Sequence, residues 1–202
     1  MGVVKNINHT EIVNEFELWQ AFKRGERLAF EELLKNYYPL LLSYGIRFYR
    51  DKEFVKDTVH DLFVELWNRK ENLGDIVSIK SYLLQSVRRN IIRESTRLKW
   101  FREADIINED YDFDAEFNIE SYLINREIET ESLKKLKIQL EKLTKRQREA
   151  IYLRFTENLS YEEIASTMAI NYRSAVNLIH EAIKSIRQNW FILILAYFSI
   201  FY

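Results

Sequence analysis

Residues 159–171 read LSYEEIASTMAIN, and they predict a helix, a tight turn and the start of a second helix. Ser160 and Glu163 have the spacing of a capping box, in which the hydroxyl and the carboxylate each accept a hydrogen bond from a backbone N–H at the helix start. A helix is therefore expected to begin at about Tyr161. After a three-residue break, 169–171, the side chain of Asn171 can cap a second helix.

The apolar residues of both segments recur at helical spacing. The first segment contributes Ile164, Ala165 and Met168. The second contributes Ala175, Ile179, Ala182 and Ile186, which is the stripe expected on the buried face of a helix. Two helices with so short a link are the usual way to place a helix in the DNA major groove. Residues 143–187 are therefore predicted to form a helix-turn-helix unit.

The composition favours an all-α protein that acts by binding. The 202 residues include one proline, four glycines and no cysteine, which excludes disulfides and thiolate metal sites. No basic segment followed by an apolar run opens the chain, so a cytoplasmic location is expected. The three histidines, His9, His60 and His180, are not spaced as metal ligands, and no glycine-rich phosphate loop is present. We therefore expect no enzymatic activity, no cofactor, no metal and no small-molecule substrate.

The net charge of −1 conceals a strong asymmetry along the chain. Residues 80–100 have a net charge of +5, residues 101–131 of −9, and residues 132–190 of +5. Basic blocks beside helical motifs favour phosphate contacts, whereas an acidic block is usually a solvated linker. This pattern predicts five segments: an N-terminal extension 1–15, a helical domain 16–100, an acidic linker 101–131, a helix-turn-helix domain 132–190, and an apolar tail 191–202.

The helical domain 16–100 contains two segments with opposite charge. Residues 57–67 form an amphipathic helix in pattern, with acidic residues every fourth position at Asp57, Asp61 and Glu65. Residues 81–97 are expected to form a basic helix with Leu83, Val87 and Ile91 inward. Residues 29–34 and 37–48 are also helical in pattern, and we expect Pro39 near the start of the second of these helices.

These segments resemble the sigma-70 family of bacterial RNA polymerase subunits, in its extracytoplasmic-function (ECF) type. The resemblance lies in DTVHDLFVELW at 57–67, in SYLLQSVRRN at 81–90 followed by Glu94 and Arg97, and in Leu143–Arg187. It covers both domains in the family's order. It implies two small helical domains, a sigma region 2-like bundle and a sigma region 4-like helix-turn-helix, joined by the acidic linker.

The resemblance also implies partners and sites. Core RNA polymerase would be bound through Asp57, Asp61 and Glu65. The −10 promoter element would be captured and melted by the first domain, with DNA contacts from Lys80, Arg88, Arg89, Asn90, Arg93 and Arg97. The connection 69–78 is where the family places a pocket for an extruded base, while Trp67 and Tyr82 are interpreted first as core aromatics. The family also makes an anti-sigma factor a plausible partner.

The second domain would read the −35 element through the helix that follows Asn171. The expected contacts are Arg173, Ser174, Val176, Asn177, His180 and Lys184. Asparagine pairs with adenine and valine can touch a thymine methyl, so we expect an A/T-containing element read in part by Asn177 and Val176. Arg146, Arg148 and Arg154 are either phosphate anchors, which we favour slightly, or a solvated helix face.

Two alternatives stay open from the sequence alone. The chain could instead be a self-sufficient helix-turn-helix regulator that binds DNA without polymerase, but the acidic and basic helices of the first domain would then have no task. A structural adaptor has little support beyond the acidic linker. The tail 191–202 is too short to cross a membrane as a helix, and it could pack on the core, occupy a regulator's surface or hold the domains together.

Overall fold

The computed structural model describes the backbone of residues 8–102, 113 and 137–201, and the side chains of residues 15–97, 113 and 137–187. The chain divides into two compact units, residues 1–107 and 108–202. Within the described ranges the backbone forms helices, turns and loops and no strand, so the predicted all-α fold is confirmed. The first unit contains α1 (Asn8–Lys23), α2 (Arg27–Ile46), α3 (Lys52–Arg69), a 3₁₀ turn (Lys70–Asn72) and α4 (Ile79–Arg102).

The core of the first unit forms where α2, α3 and α4 pack against one another, with α1 against α2. Each helix buries one stripe: Leu33, Tyr37, Leu41 and Tyr44 from α2, Val55, Val59, Leu62, Phe63 and Leu66 from α3, and Leu83, Leu84, Val87 and Ile91 from α4. Burying each such side chain stabilises the fold by about 1.5–3 kcal/mol. The buried Trp19 and Phe22 of α1 complete this core.

Residues 27–46 form one helix, so the prediction of two helices with Pro39 near the start of the second was wrong. Pro39 lies inside α2, with its side chain exposed. An interior proline costs roughly 3 kcal/mol because it removes one backbone hydrogen bond. The buried stripe continues on both sides of it, from Leu33 through Tyr37 to Leu41. Burial of these side chains exceeds the cost of the proline, so the helix continues.

Gly45 of α2 packs closely against both α3 and α4. A Cβ atom on this residue would lie 2.6 Å from Cγ1 of Val55 on α3 and 2.9 Å from Cδ1 of Ile91 on α4. Both distances are shorter than van der Waals contact. The absence of a side chain at Gly45 therefore sets the spacing between α2 and the two helices that carry the predicted acidic and basic residues.

The second unit contains a helical segment 137–142, then α5 (Lys145–Phe155), α6 (Tyr161–Met168) and α7 (Tyr172–Phe201). Its core is built from Ala150, Ile151 and Leu153 of α5, Ile164 and Met168 of α6, and Ala175, Ile179 and Ala182 of α7. The buried Leu143 and Leu159 close the two short connections. The helix-turn-helix apolar residues predicted from the sequence lie in this core, except that Ile186 is only half-buried.

Two predicted segments fall mostly outside the described residues. Of the acidic linker 101–131, the structure describes the backbone of residues 101–102 and Phe113, whose buried ring contacts Tyr152 edge-on at 5.8 Å between centroids. The backbone of α7 continues to Phe201, but the side chains of the tail 191–202 lie outside the described residues.

α1 begins at Asn8, inside the segment predicted as an extension. No helix in the described part of the chain combines the length and apolarity needed to cross a membrane.

Candidate nucleic-acid and protein interfaces

The acidic ridge, defined as Asp57, Asp61 and Glu65, lies along the solvent side of α3. The helix starts at Asp51, whose carboxylate accepts hydrogen bonds from the backbone N–H of Glu53 at 3.0 Å and of Phe54 at 3.2 Å. The three ridge residues are exposed and follow one another every fourth residue. Residues at this spacing share one face of a helix. The structure therefore places them together as a continuous anionic surface.

Glu65 differs from the other two ridge residues because it has an ion-pair partner on its own helix. Its Oε1 lies 2.7 Å from Nη1 of Arg69, an i,i+4 pair. Asp61 has a weaker neighbour, the Nδ1 of His60 at 3.7 Å, and its side chain is 83% exposed. Surface pairs of this kind contribute at most about 1 kcal/mol. Asp57 and Asp61 thus form the part of the ridge that a cationic partner reaches with least competition from Arg69.

The six predicted −10 contacts on α4 do not share one face. Arg89, Arg93 and Arg97 follow at every fourth residue and are all exposed, so they form one basic stripe. Asn90 lies beside this stripe and is half-buried. Arg88 lies on the other side of the helix, where its guanidinium is 5.9 Å from the centroid of Phe48. Lys80 is half-buried in the first turn of α4, more than two turns from Arg89.

Glu94 reduces the positive charge of this basic stripe. Its two carboxylate oxygens lie 3.2 Å from Nε of Arg93 and 3.1 Å from a terminal nitrogen of Arg97. The carboxylate is 26% exposed, whereas both arginines are more than half exposed. Glu94 therefore orients the two guanidinium groups, whereas Arg89, near the middle of the helix, lies outside this carboxylate's two ion pairs.

Trp67 and Tyr82 lie at the edge of the core, each half-buried, in agreement with their interpretation as core aromatics. The ring centroid of Trp67 is 4.9 Å from that of Phe30, and the centroid of Tyr82 is 5.6 Å from that of Trp19. Burial raises the pKa of the Tyr82 hydroxyl. Its exposed part remains available at the surface between α3 and α4, where Glu65, Arg69 and Arg89 all act on it electrostatically.

The connection between α3 and α4 is held by α1, a feature that was not predicted from the sequence. The indole N–H of Trp19 donates to the carbonyl of Gly74 at 3.1 Å. The carboxylate of Asp75 accepts from Nε2 of Gln20 and from Nζ of Lys23, both at 2.8 Å. We call residues 73–78 the α3–α4 loop and Trp19, Gln20 and Lys23 the clasp. The helical recurrence of Trp19 and Phe22 predicts burial of α1, but no local signal connects it to residues 55 positions later.

In the second unit, two capping boxes stabilise the N-terminal ends of α5 and α6. At α5, the Thr144 hydroxyl accepts from the N–H of Gln147 at 3.3 Å, and the Gln147 amide accepts from the N–H of Thr144 at 3.0 Å. At α6, Ser160 and Glu163 make the same reciprocal bonds at 3.2 and 2.8 Å. The predicted capping box and the start of α6 at Tyr161 are confirmed.

The turn between α6 and α7 has a left-handed residue at its centre. Ala169 adopts φ 53° and ψ 48°, and the N–H of Ile170 donates to the carbonyl of Ala165 at 2.9 Å. The Asn171 side chain then accepts from the N–H of Ser174 at 2.8 Å, which confirms its role as a cap. The left-handed residue ends α6 in a single step, so α7 starts at a fixed angle to it.

The recognition surface, defined by the six predicted −35 contacts on α7, lies opposite the buried stripe. Arg173, Asn177, His180 and Lys184 are exposed and fall within about 60° of one another at 100° per residue. The buried Ala175, Ile179 and Ala182 lie on the opposite side of the helix. Ser174 and Val176 flank the exposed line and are half-buried. Polar and cationic side chains are therefore presented together to solvent.

One acidic residue beside the recognition surface was missed by the sequence analysis. The carboxylate of Glu181 lies 3.7 Å from Nδ1 of His180 and 4.0 Å from Nζ of Lys184. It is 56% exposed. A glutamate in a major groove can accept a hydrogen bond from the N4 amine of cytosine, so Glu181 adds an acceptor to the candidate base contacts of this helix.

The three arginines of α5 differ in surroundings. Arg146 is exposed, whereas Arg148 is half-buried and its Nε is buried without a hydrogen bond in the described structure. Arg154 donates to the carbonyl of Leu159 at 2.7 Å, and its guanidinium lies 5.0 Å from the centroid of the Tyr161 ring. Arg154 thus braces the connection from α5 to α6, and Arg146 is the one of the three that is most accessible to a phosphate.

Comparisons with known proteins agree on both units. The family model for sigma-70 region 2 matches residues 33–101, and the model for sigma-70 region 4 matches residues 134–186. The RNA polymerase sigma factor YlaC of Bacillus subtilis is 24% identical over 169 residues, covering 81% of this chain and 92% of YlaC. The ECF RNA polymerase sigma factor SigX of the same organism is 22% identical over 167 residues, covering 80% of this chain and 83% of SigX.

Solved structures share the fold. The sigma factor RpoE of Bartonella quintana, in complex with the anti-sigma factor NepR, superposes with a TM-score of 0.52 at 18% identity, covering 79% of this chain and 94% of that one. CnrH in complex with the cytosolic domain of CnrY gives a TM-score of 0.53 at 17% identity, with coverage of 87% and 96%. At these identities the likeness concerns the fold.

Proposed function

From its membership of the sigma-70 family, in the ECF type, this chain is a transcription initiation factor, and we propose that it recruits core RNA polymerase to promoters with defined −10 and −35 elements. The first unit would bind the polymerase and open the −10 element. The second unit would bind the −35 element as duplex. The protein would therefore act in the cytoplasm, where the polymerase and the chromosome are, and it would break no covalent bond.

The acidic ridge is the proposed contact with the polymerase. In the family this position meets the clamp helices of the largest catalytic subunit. The exposed carboxylates of Asp57 and Asp61 support this role, because they can receive charge-assisted hydrogen bonds from arginines of a partner. An anti-sigma factor that holds the chain away from the polymerase is part of the proposal, since the solved structure of RpoE named above is a complex with the anti-sigma factor NepR.

The basic stripe of α4 is the proposed contact with the −10 element. Arg89, Arg93 and Arg97 would neutralise phosphates, and Asn90 at the edge of the stripe would reach a base. Opening the duplex costs a few kcal/mol for each base that is unstacked. Contacts to the separated strand offset this cost, and stacking on an aromatic side chain is worth about 1–3 kcal/mol per base. Tyr82, half-exposed between α3 and α4, is the aromatic side chain best placed near the stripe.

The recognition surface of α7 is the proposed reader of the −35 element. Its exposed residues lie opposite the buried stripe. A recognition helix contacts the major groove with such an exposed face while its other face packs on the domain. Asn177 can pair with adenine and Val176 can contact a thymine methyl, so we propose an A/T-containing element, with Arg146 as a phosphate anchor. Selection of bound sequences from a random pool tests this, and an invariant upstream element made of G/C pairs alone would contradict it.

The observation that carries the proposal is the presence, in one chain, of an exposed acidic ridge and a separate helix-turn-helix unit. The test is co-elution of the full chain with core RNA polymerase on a sizing column. We expect the wild type to co-elute and Asp61→Arg to be lost from the complex. Glu32→Arg, the same change of charge at an exposed position of α2, is the matched control and should still co-elute.

The outcome also separates this proposal from the alternative of a regulator that binds DNA without polymerase. Such a regulator would bind its duplex site tightly alone and would not co-elute with the polymerase. A sigma subunit is expected to bind promoter DNA weakly until the polymerase is present. Failure of the wild type to co-elute, also after removal of residues 191–202, would favour the alternative.

A further inference from the structure

We propose that Glu181 selects a C·G base pair in the −35 element, with its carboxylate accepting a hydrogen bond from the N4 amine of the cytosine. This inference rests on the proposed function and deepens it, because it names one base pair and the residue that reads it. The sequence analysis placed no acidic residue among the DNA contacts of the chain. A promoter of this chain would therefore carry a mixed upstream element, in which a cytosine accompanies the A/T pairs.

The side of α7 that faces away from the core divides into two rows. One row is basic and consists of Arg173, His180, Lys184 and Arg187. The other row contains no basic residue and consists of Ser174, Asn177 and Glu181. At 100° per residue each row occupies about 60° of the helix, and the two rows lie side by side. Cationic side chains pair with phosphates and guanine, whereas amide, hydroxyl and carboxylate oxygens accept from the exocyclic amines of bases. The second row is therefore suited to adenine and cytosine.

The position of Glu181 is fixed by the packing of its own helix. The adjacent residue Ala182 is fully buried, and Ile179 is 1% exposed. α7 packs against both α5 and α6, and its first turn is capped by the side chain of Asn171. The Glu181 side chain itself is 56% exposed. The carboxylate is thus presented to solvent from a packed backbone, so it can meet a base edge without rearrangement of the helix.

Two cationic side chains lie near this carboxylate without occupying it. Nδ1 of His180 lies 3.7 Å and Nζ of Lys184 lies 4.0 Å from the oxygens of Glu181. Both distances are longer than the roughly 2.7–3.2 Å of an N–H···O hydrogen bond. These two neighbours therefore leave the acceptor sites of the carboxylate open. The positive charge of Lys184 also lowers the repulsion between Glu181 and the phosphates beside the groove.

Cytosine is the base whose major-groove edge fits a carboxylate best. An ionised carboxylate accepts hydrogen bonds and donates none. Cytosine presents the N4 donor there, whereas adenine presents its N6 donor beside the N7 acceptor. Guanine and thymine present acceptors, which would face the carboxylate with like partial charge. Glu181 is the only acidic residue in the sequence of α7, so this preference is assigned to one side chain.

The distance between Asn177 and Glu181 places the cytosine close to the adenine of the proposed element. Four residues of an α-helix span about 6 Å, and successive base pairs are about 3.4 Å apart, so the two contacts fall about one to two base pairs from each other. Asparagine pairs with adenine. The expected element thus contains an A·T pair and a C·G pair that are adjacent or separated by one position.

The test measures base preference with the full chain bound to core RNA polymerase. The fragments carry the upstream element selected by the wild type, with each position changed in turn to all four base pairs, and they compete with the unchanged fragment. We expect the wild type to prefer C·G about five- to twentyfold at one position. Glu181→Ala should reduce that preference to within about twofold and leave the other positions unchanged. Glu181→Gln should change the preferred pair from C·G to A·T, because glutamine pairs with adenine through two hydrogen bonds.

Two further variants separate base reading from a change in charge. Glu141→Gln makes the same chemical change at an exposed residue of the segment before α5, so it should keep the preference for C·G. Asn177→Ala identifies the position of the adenine, which should lie within about two base pairs of the cytosine. The melting temperatures of the Glu181 variants should match the wild type, because exposed ion pairs contribute little to stability.

The outcomes distinguish this inference from the proposed function. If the wild type does not bind the polymerase, or selects no common upstream element, the proposed function itself fails. If an element is selected but holds no C·G pair within about two base pairs of the position assigned to Asn177, the inference is overturned. It is also overturned if both Glu181 variants keep the base preference of the wild type, or if Glu141→Gln changes that preference in the same way.

Discussion

Replacement of Gly45 by alanine should destabilise the first unit by an amount that follows from the geometry. The new Cβ would meet Cγ1 of Val55 at 2.6 Å and Cδ1 of Ile91 at 2.9 Å. The Val55 methyl is attached next to the backbone of α3 and has little freedom, whereas the Ile91 methyl is the end of a longer side chain. Extra atoms in a packed core cost about 1–3 kcal/mol. Alanine regains about 1 kcal/mol of helix propensity over glycine.

These two amounts leave a net loss of about 0–2 kcal/mol in the free energy of unfolding, and we expect the upper half of that range because the Val55 methyl has little freedom to move. In a unit of this size that lowers the melting temperature by roughly 4–8 °C for each kcal/mol. Denaturant unfolding followed by circular dichroism measures it. Gly74→Ala is the control, because nothing lies within 4 Å of its Cβ position. A Gly45→Ala variant as stable as the wild type, or more stable, would refute the argument.

A second substitution tests whether the contact itself is the cause. Ile91→Val removes the Cδ1 atom and alone costs about 0.5–1.5 kcal/mol. In the Gly45→Ala background the same change relieves one of the two close contacts. The double variant should therefore be more stable than the sum of the two single effects predicts. If the two losses in the free energy of unfolding simply add, the contact with Ile91 is not the cause of the destabilisation.

Three further predictions concern the two units separately. Arg154→Ala should lower the melting temperature of the second unit, because it removes the hydrogen bond to the carbonyl of Leu159. Arg146→Ala should leave the melting temperature unchanged and should reduce the slope of log affinity for promoter DNA against log salt concentration by about 1. Ser160→Ala should cost about 1 kcal/mol by loss of the cap on α6, measured by thermal unfolding of the chain. Burial and the hydrogen bond to Glu15 raise the pKa of Tyr37, so the folded state retains this proton longer than the unfolded state. The contribution of this group to the free energy of unfolding is fully present below a pH of about 10 and is lost as the pH rises further. Tyr37→Phe should therefore make the free energy of unfolding depend less on pH between neutral and alkaline conditions.

Features set by neighbouring residues were predictable from the sequence. The capping box at Ser160 and Glu163, the cap at Asn171 and the acidic spacing on α3 depend on positions three or four residues apart, and the structure contains each of them. The all-α fold follows from the same kind of local signal, repeated along the chain. The prediction for residues 29–48 failed because Pro39 was interpreted from its neighbours in sequence alone. The buried stripe that stabilises α2 on both sides of Pro39 depends on packing against other helices.

The parts of the site that could not be predicted depend on contacts between distant segments. The clasp joins Trp19, Gln20 and Lys23 to residues more than 50 positions away, and no periodicity reports such a pairing. The brace at Arg154 is closer in sequence, but an arginine on a helix gives the same pattern whether it faces solvent or a carbonyl. The contact of the Arg88 guanidinium with the ring of Phe48 likewise joins residues 40 positions apart, and helical spacing alone does not report it.

The most direct test of the central claim is transcription reconstituted from purified parts. Core RNA polymerase, the full chain and genomic DNA of the source bacterium are combined, and the 5′ ends of the transcripts are mapped. We predict start sites that depend on the chain and that share two upstream elements, at −10 and −35, with loss of these starts in the Asp61→Arg variant. Start sites identical to those of core polymerase alone would contradict the claim that this chain directs initiation.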